Sequence, residues 1–287
     1  MIQTMIQTMW LRRSLWLALS VLVAASANAQ SPPAGAPASA AQALEPKAIE
    51  ILKASSAKLA AARTLSFTAV AAYESPSVPG PALLYTTRSL VTVQRPDKLR
   101  VITPADGPAS EFYYDGRTVM AYTPSANLVA VANAPSTIEA TLEAAYKTAA
   151  IYFPFTDAIV ADPYGDIAPQ LELAFYIGQS TVVGGVKTDM VAYASDGVFV
   201  QMWIGTDDKL PRMARAVFRK DPLRLRHQVQ YSDWKLGMAI PAGTFASTRA
   251  AAAKRIPFAH PDPSPPADAG PAPGTLPAGT GEPPKTK

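Results

Sequence analysis

The stretch Tyr113–Val131, YYDGRTVMAYTPSANLVAV, limits the possible folds more than any other part of the chain. Asp115-Gly116 is a strong hairpin signal, because a two-residue type I′ turn needs positive φ at both positions and Asp-Gly supplies it at low cost. On either side, Phe112, Tyr114, Met120 and Tyr122 alternate with smaller or more polar residues, the period-two pattern of strands with one buried face. The pattern predicts that these four look inward together. A second turn over Thr123–Asn127 brings the chain back through Leu128–Ala132, so three consecutive strands form a meander.

Similar stretches lie on both sides. Leu65–Tyr73 and Leu83–Val93 read as strands separated by the Pro/Gly loop Glu74–Pro81. On the second of them Leu83, Tyr85, Val91 and Val93 share one face, and Arg95 keeps that parity. Pro96-Asp97 turns the chain into Leu99–Thr103, which leads on to Ser110–Tyr114. In the second half, Leu173–Val182, Val186–Ala194, Val198–Gly205, Pro211–Arg219 and Leu225–Trp234 read as five strands, with Gly184-Gly185 and Asp196-Gly197 at two of the turns. About ten or eleven strands joined by short links predict one large antiparallel sheet that curls.

One helix precedes the strands and a helical stretch interrupts them. Pro46 opens an amphipathic helix over Pro46–Ala62, with Ile49, Leu52, Ser56, Leu59 and Arg63 at spacings of three and four. Ser136-Thr137-Ile138-Glu139 reads as a capping box, with Ser136 as N-cap of a helix to about Ala150 that carries Ile138 and Leu142 on one face. After the apolar break Ile151–Phe155, Thr156-Asp157 could cap a short helix through Ala161. Apolar helix stripes among antiparallel strands must cover a face of the sheet, which makes the fold class α+β.

At the amino end, Arg12-Arg13, the apolar run Ser14–Ala25 and Ala27-Asn28-Ala29 form a secretory leader (1–29) to be cut before Gln30. The run is shorter than the roughly 20 residues needed to span a bilayer. Residues 30–43 read as a flexible Pro/Ala linker, 44–256 as the folded domain and 257–287 as a disordered Pro/Ala/Gly-rich tail. Losing Arg12 and Arg13 takes the formal charge from +4 to +2, too little to suggest a nucleic-acid partner.

The chain has no cysteine, which excludes disulfides, a thiol nucleophile, Cys-ligated zinc and a lipidated N-terminal cysteine. Its two histidines, His227 and His260, cannot supply a His-based triad or a His-cluster metal site. Ser55-Ser56-Ala57-Lys58 matches a Ser-x-x-Lys pattern but lacks the accompanying Lys-Thr-Gly and Ser-Asp-Asn triplets, which leaves a chance match. The basic run from Arg212 to Arg226 reads as a solvated strand face, and scattered acids such as Asp207-Asp208 as turn formers. The expectation is a non-enzymatic protein without metal or cofactor.

Leu90–Val101, Tyr114–Val131 and Tyr231–Ser247, in that order, resemble the corresponding stretches of the periplasmic lipoprotein-carrier family LolA/LolB. Leu44–Ala259 as a whole more closely resembles a family of predicted periplasmic proteins of unknown function with that fold. The resemblance implies a half-barrel of about eleven antiparallel strands whose concave apolar face is covered by helices and holds acyl chains. It also implies that Arg95, before the Pro turn, latches the lid by bonding to its backbone, and that Leu99 sits at the cavity mouth. With the strand parities, the expected cavity residues are Tyr85, Val91, Val93, Leu99, Val101, Met120 and Tyr122, under a lid carrying Ile138, Leu142, Phe153 and Phe155.

Two functions follow from this. One is a Gram-negative periplasmic carrier or sensor that holds a lipid, acyl chain or other apolar ligand. The other is an envelope interaction module with a closed core that docks a protein partner. Neither involves nucleic acid or integration into the membrane, and a monomer is expected. Mature protein isolated from the periplasm is expected to begin at Gln30; N-terminal sequencing that finds Trp10–Ala25 retained would contradict the leader.

Overall fold

The computed structural model describes residues 43–77, 80–104 and 109–260. The leader, residues 30–42 of the linker and residues 261–287 of the tail lie outside the described residues. Helix α1 (Pro46–Ala60) precedes six strands: β1 (Thr64–Ser75), β2 (Leu83–Gln94), β3 (Lys98–Thr103), β4 (Ser110–Tyr114), β5 (Thr118–Thr123) and β6 (Leu128–Asn133). Helix α2 (Ile138–Ala149), a 3-10 turn at Thr156–Ala158 and the short helix α3 (Pro163–Ile167) lead to β7 (Leu171–Ser180), β8 (Thr188–Ser195), β9 (Val198–Gly205), β10 (Pro211–Phe218) and β11 (Arg226–Leu236). Helix α4 (Thr248–Ala251) and β12 (Lys254–Ile256) follow.

The strands form one open sheet in the order β12-β6-β5-β4-β3-β2-β1-β11-β10-β9-β8-β7. Two meanders, β1 to β6 and β7 to β11, meet where β1 pairs antiparallel with β11. The twelfth strand, absent from the sequence-based count, is β12; three residues are too few to show a period, and it lies parallel to β6. At the other edge, the segment before α1 reaches β7. The Glu45 N–H donates to the Ala174 carbonyl (2.8 Å), that of Ala174 to the Ala43 carbonyl (2.7 Å), and that of Tyr176 to the Glu45 carboxylate (2.8 Å).

Register decides which side chains share a face, since directly opposed residues of a ladder point the same way. Leu65 and Phe67 oppose Val93 and Val91, these oppose Leu99 and Val101, and these in turn oppose Tyr114 and Phe112. All are buried in one cluster with Ile138, Leu142 and Ala145 of α2 and with Phe155. In the other direction, the same face passes through Val229 and Tyr231 to Val200 and Tyr193. There it packs with Ala48, Ile51 and Leu52 of α1. Each such side chain, fully buried, contributes about 1.5–3 kcal/mol relative to exposure.

Met120 and Tyr122 are not on this face. Tyr114 opposes Val119, so even-numbered residues of β4 meet odd-numbered residues of β5, and Val119 and Ala121 take the inner positions. A hairpin loop of even length imposes that exchange of parity, which the expected four-residue face ignored. Met120 and Tyr122 pack instead with Tyr113, Val129, Ala250 and Ala253, against the α4–β12 segment. The turn is also shifted by one residue. Gly116 and Arg117 form its tip, the Asp115 N–H donates to the Thr118 carbonyl (3.3 Å), and of these residues only Gly116 has positive φ (98°). Asp115 anchors the turn by accepting from the N–H of Arg117 (2.9 Å) and of Thr118 (2.8 Å). By contrast, Asp196-Gly197 is a true two-residue turn, with φ of 44° and 76°.

The helices depart from the expected boundaries at their ends. Helix α1 stops at Ala60, and α2 is capped by Thr137 rather than Ser136, its hydroxyl accepting from the Ala140 N–H (3.2 Å). Glu139 accepts from the Ala161 N–H (2.7 Å), so it ties α2 to the following segment instead of closing a capping box. The helix expected through Ala161 gives way to the 3-10 turn and to α3, whose N-cap Asp162 accepts from the Gly165 N–H (3.0 Å) and the Ser56 hydroxyl (2.9 Å). Ser56 also accepts from the Tyr164 N–H (2.9 Å), so the Ser-x-x-Lys match serves to join α1 to α3.

A Cβ at Gly116 would lie 2.7 Å from the Asp97 carboxylate, at a φ that side chains rarely adopt. Gly116→Ala is expected to cost roughly 1–3 kcal/mol, read as a lower urea midpoint at unchanged m-value. An unchanged midpoint would mean that the turn tolerates a side chain.

Candidate functional site

Two adjoining cavities lie on the inner face, over the β8–β11 part of the sheet. The larger, about 80 Å³, has Leu52 and Leu59 of α1 on one side and Val160 and Ile167 around α3 on another. Its floor is Val200, Met202 and Ile204 of β9 with Ala214 of β10. The smaller, about 50 Å³, reaches toward Tyr152, Phe218 and His227. The two share Asp157, Val200, Ala214 and Tyr231, so Asp157 stands at their junction.

The sequence explains this position. After the aromatic run Ile151–Phe155, Phe155 is fully buried against Phe67 (ring centroids 5.8 Å apart) and Phe153 (5.5 Å), which fixes the 3-10 turn. One residue after Thr156, Asp157 projects into the space beside this plug. Although it lines both cavities, Asp157 keeps substantial exposure to solvent. Desolvation, with the charge of Asp166 adding to it, pushes its carboxyl up to about 6. Burial likewise raises the phenols of Tyr152, Tyr193 and Tyr231, and Asp157's charge reinforces this. His227, set among Phe218, Tyr73 and Tyr152, is pushed down to about 4 by desolvation and is neutral at pH 7.

The residues expected to line a cavity lie mostly elsewhere. Val91, Val93, Leu99 and Val101 are at most 1% exposed and belong to the solid cluster with Ile138, Leu142 and Phe155. Phe153, against Phe112 at 5.3 Å, packs on that cluster too. The aromatic plug fills the space over β1 to β5, and the void opens beside it. Tyr85 is half-exposed at the far end of the inner face, stacked on Tyr73 (5.8 Å), which leads through His227 to the smaller cavity. Arg95 donates from Nη1 to the Ile159 carbonyl at 2.6 Å. Its Nε and Nη2 are buried with no hydrogen-bond partner among the described residues, and desolvation lowers its pKa. Asp157 and the cavity tyrosines were missed; the available signal was a carboxylate inside the apolar run Phe153–Val160.

The basic run is largely neutralised by acids. Arg212 pairs with Asp208 (2.5 Å), Arg219 with Glu172 (2.5 Å), Lys220 with Asp196 (3.1 Å) and Arg226 with Glu74 (3.7 Å).

The model of a family described as "Predicted periplasmic protein (DUF2092)" matches residues 48–259. The chain belongs to that family. DUF2092 is therefore the family that the sequence motifs indicated, and no helix among the described residues is long and apolar enough to cross a membrane. No curated protein matches the sequence. Among solved structures, the chain is similar to a conserved uncharacterised protein from Thermus thermophilus (12% identity, 74% of this chain and 99% of that one, TM-score 0.42). It is also similar to lipoprotein LppX from Mycobacterium tuberculosis (11%, 69% and 100%, 0.43). A third is a chain of the Pseudomonas aeruginosa MucA/MucB complex (13%, 71% and 62%, 0.41).

A carboxylate whose pKa the fold raises destabilises that fold when ionised, here by an amount reduced by the solvent exposure of Asp157. The cost is absent at low pH, where Asp157 is protonated both folded and unfolded, and grows as pH rises from about 4 toward 6. Asp157→Asn is accordingly expected to raise the melting temperature by roughly a degree or two at pH 7.5, solvent screening having reduced the cost. The gain should vanish near pH 4. A variant equally stabilised at both pH values would show that the ionised carboxylate is not the cause.

Proposed function

We propose that this DUF2092 protein is a non-catalytic periplasmic binding protein, a carrier or sensor, that holds an apolar ligand between the sheet and the helical segments. On this reading the sheet curls as a half-barrel and α1, α2 and residues 152–167 serve as its lid. The observation that carries the proposal is the apolar cavity between α1, α3 and β8 to β11. At about 80 Å³ it is well below the 300–1,000 Å³ usual for a ligand pocket, so a lipid tail enters only as the lid moves off the sheet. Arg95 is placed to oppose that movement, because its bond to Ile159 fastens the segment to the β2–β3 corner.

A second reading is supported by Leu83, Leu84 and Tyr85, which are 50%, 67% and 48% exposed where β2 begins. These apolar side chains would suit docking of an envelope protein partner against a closed core.

Arg95→Leu removes a charge-assisted bond of about 1.5–3 kcal/mol, roughly ten- to a hundredfold in the opening equilibrium. Hydrogen exchange should accelerate across residues 138–161 while β4 and β5 stay protected, and an apolar fluorescent probe such as N-phenylnaphthylamine should bind and leave with altered rates. Unchanged exchange and unchanged probe kinetics would make Arg95 a structural corner residue.

A further inference from the structure

The cavity has a polarity that an acyl-chain site does not need. Asp157 stands at the junction of its two parts, and Asp166 on α3 lines the larger one. Among the described residues lining either part there is no lysine or arginine, and the lone histidine, His227, is neutral at pH 7. Tyr193 and Tyr231 line the larger part from β8 and β11 and Tyr164 from α3, the last with the Lys53 ammonium of α1 5.3 Å from its ring centroid. Facing them are apolar side chains of β9 and β10. A carboxylate among aromatic residues attracts an organic cation through its charge, and electron-rich rings beside it add to that attraction. The same carboxylate repels carboxylate and phosphate head groups.

We propose that the cavity selects its ligand by an ammonium group: Asp157 takes the charge, the lining tyrosines stand beside it, and the walls of β9 and β10 take the alkyl body. The ligand class is an alkyl amine or an amine-bearing amphiphile. This inference rests on the binding role proposed above and adds the head group to it. Protonation of Asp157 switches the preference off, so selectivity fades as pH falls below about 6, the value to which desolvation and the charge of Asp166 raise that carboxyl.

The test compares octylamine, 1-octanol and octanoate, which share a tail and differ in head charge, by titration calorimetry on the full mature chain. At pH 7.5 octylamine is protonated. It is expected to bind about tenfold or more tighter than octanol, with octanoate weakest. In Asp157→Asn, whose fold is checked by its melting temperature, the ratio of octylamine to octanol affinity should fall to near one. In the wild type it should shrink likewise at pH 5. Octylamine and octanol binding alike to the wild type, or a preference that survives in Asp157→Asn, overturns the inference while leaving an apolar site standing. If none of the three ligands binds, the binding role itself fails, and the inference with it.

Discussion

The β1–β11 ladder is the constraint on which the rest of the structure depends. Without it the chain would be two meanders, each with one apolar face and two open edges. Pairing Leu65 with Leu236 and Tyr73 with His227 makes their inner faces continuous. It also commits every other strand, since each ladder passes its side-chain parity to the next. Phe67 on β1 touches both Phe155 of the plug and Trp234 of β11, at 5.8 Å and 4.4 Å. The junction of the two halves is thus also where the chain between them is pinned to the sheet.

That pinning divides the inner face into two environments. Over β1 to β5 the aromatic plug and α2 fill the space with apolar atoms at contact distance. Over β8 to β11, α1 and α3 bridge the sheet less completely, and the remaining void is lined by a carboxyl group whose pKa is raised. A solid core would have omitted both the void and the charge. Void and carboxyl group coincide on the segment that Arg95 fastens.

Much of the fold was legible in the sequence because its signals are local. Turn dipeptides and period-two runs located eleven strands, and Pro46 and the residues around Ser136 located two helices to within a residue or two. Faces were legible wherever parity was followed along one strand, as from Leu83 to Arg95. They were misread across the Asp115 turn, where Met120 and Tyr122 were joined to the wrong side. The cavity was not legible at all. Whether Val91 and Leu99 look into a void or into Phe155 depends on how residues far apart in the chain fill a volume, and no spacing rule reports volume.

The two outermost strands carry a consequence for the molecule as a polymer. An unpaired strand edge is a template on which a neighbouring chain can extend the ladder. Here β12 presents only three residues, two of them Lys254 and Arg255, in parallel register on β6. At the opposite end, residues 43–45 satisfy the backbone of Ala174 and Tyr176 on β7. Each terminus of the ladder therefore meets a short segment of the same chain, which reduces the edge open to a neighbouring chain.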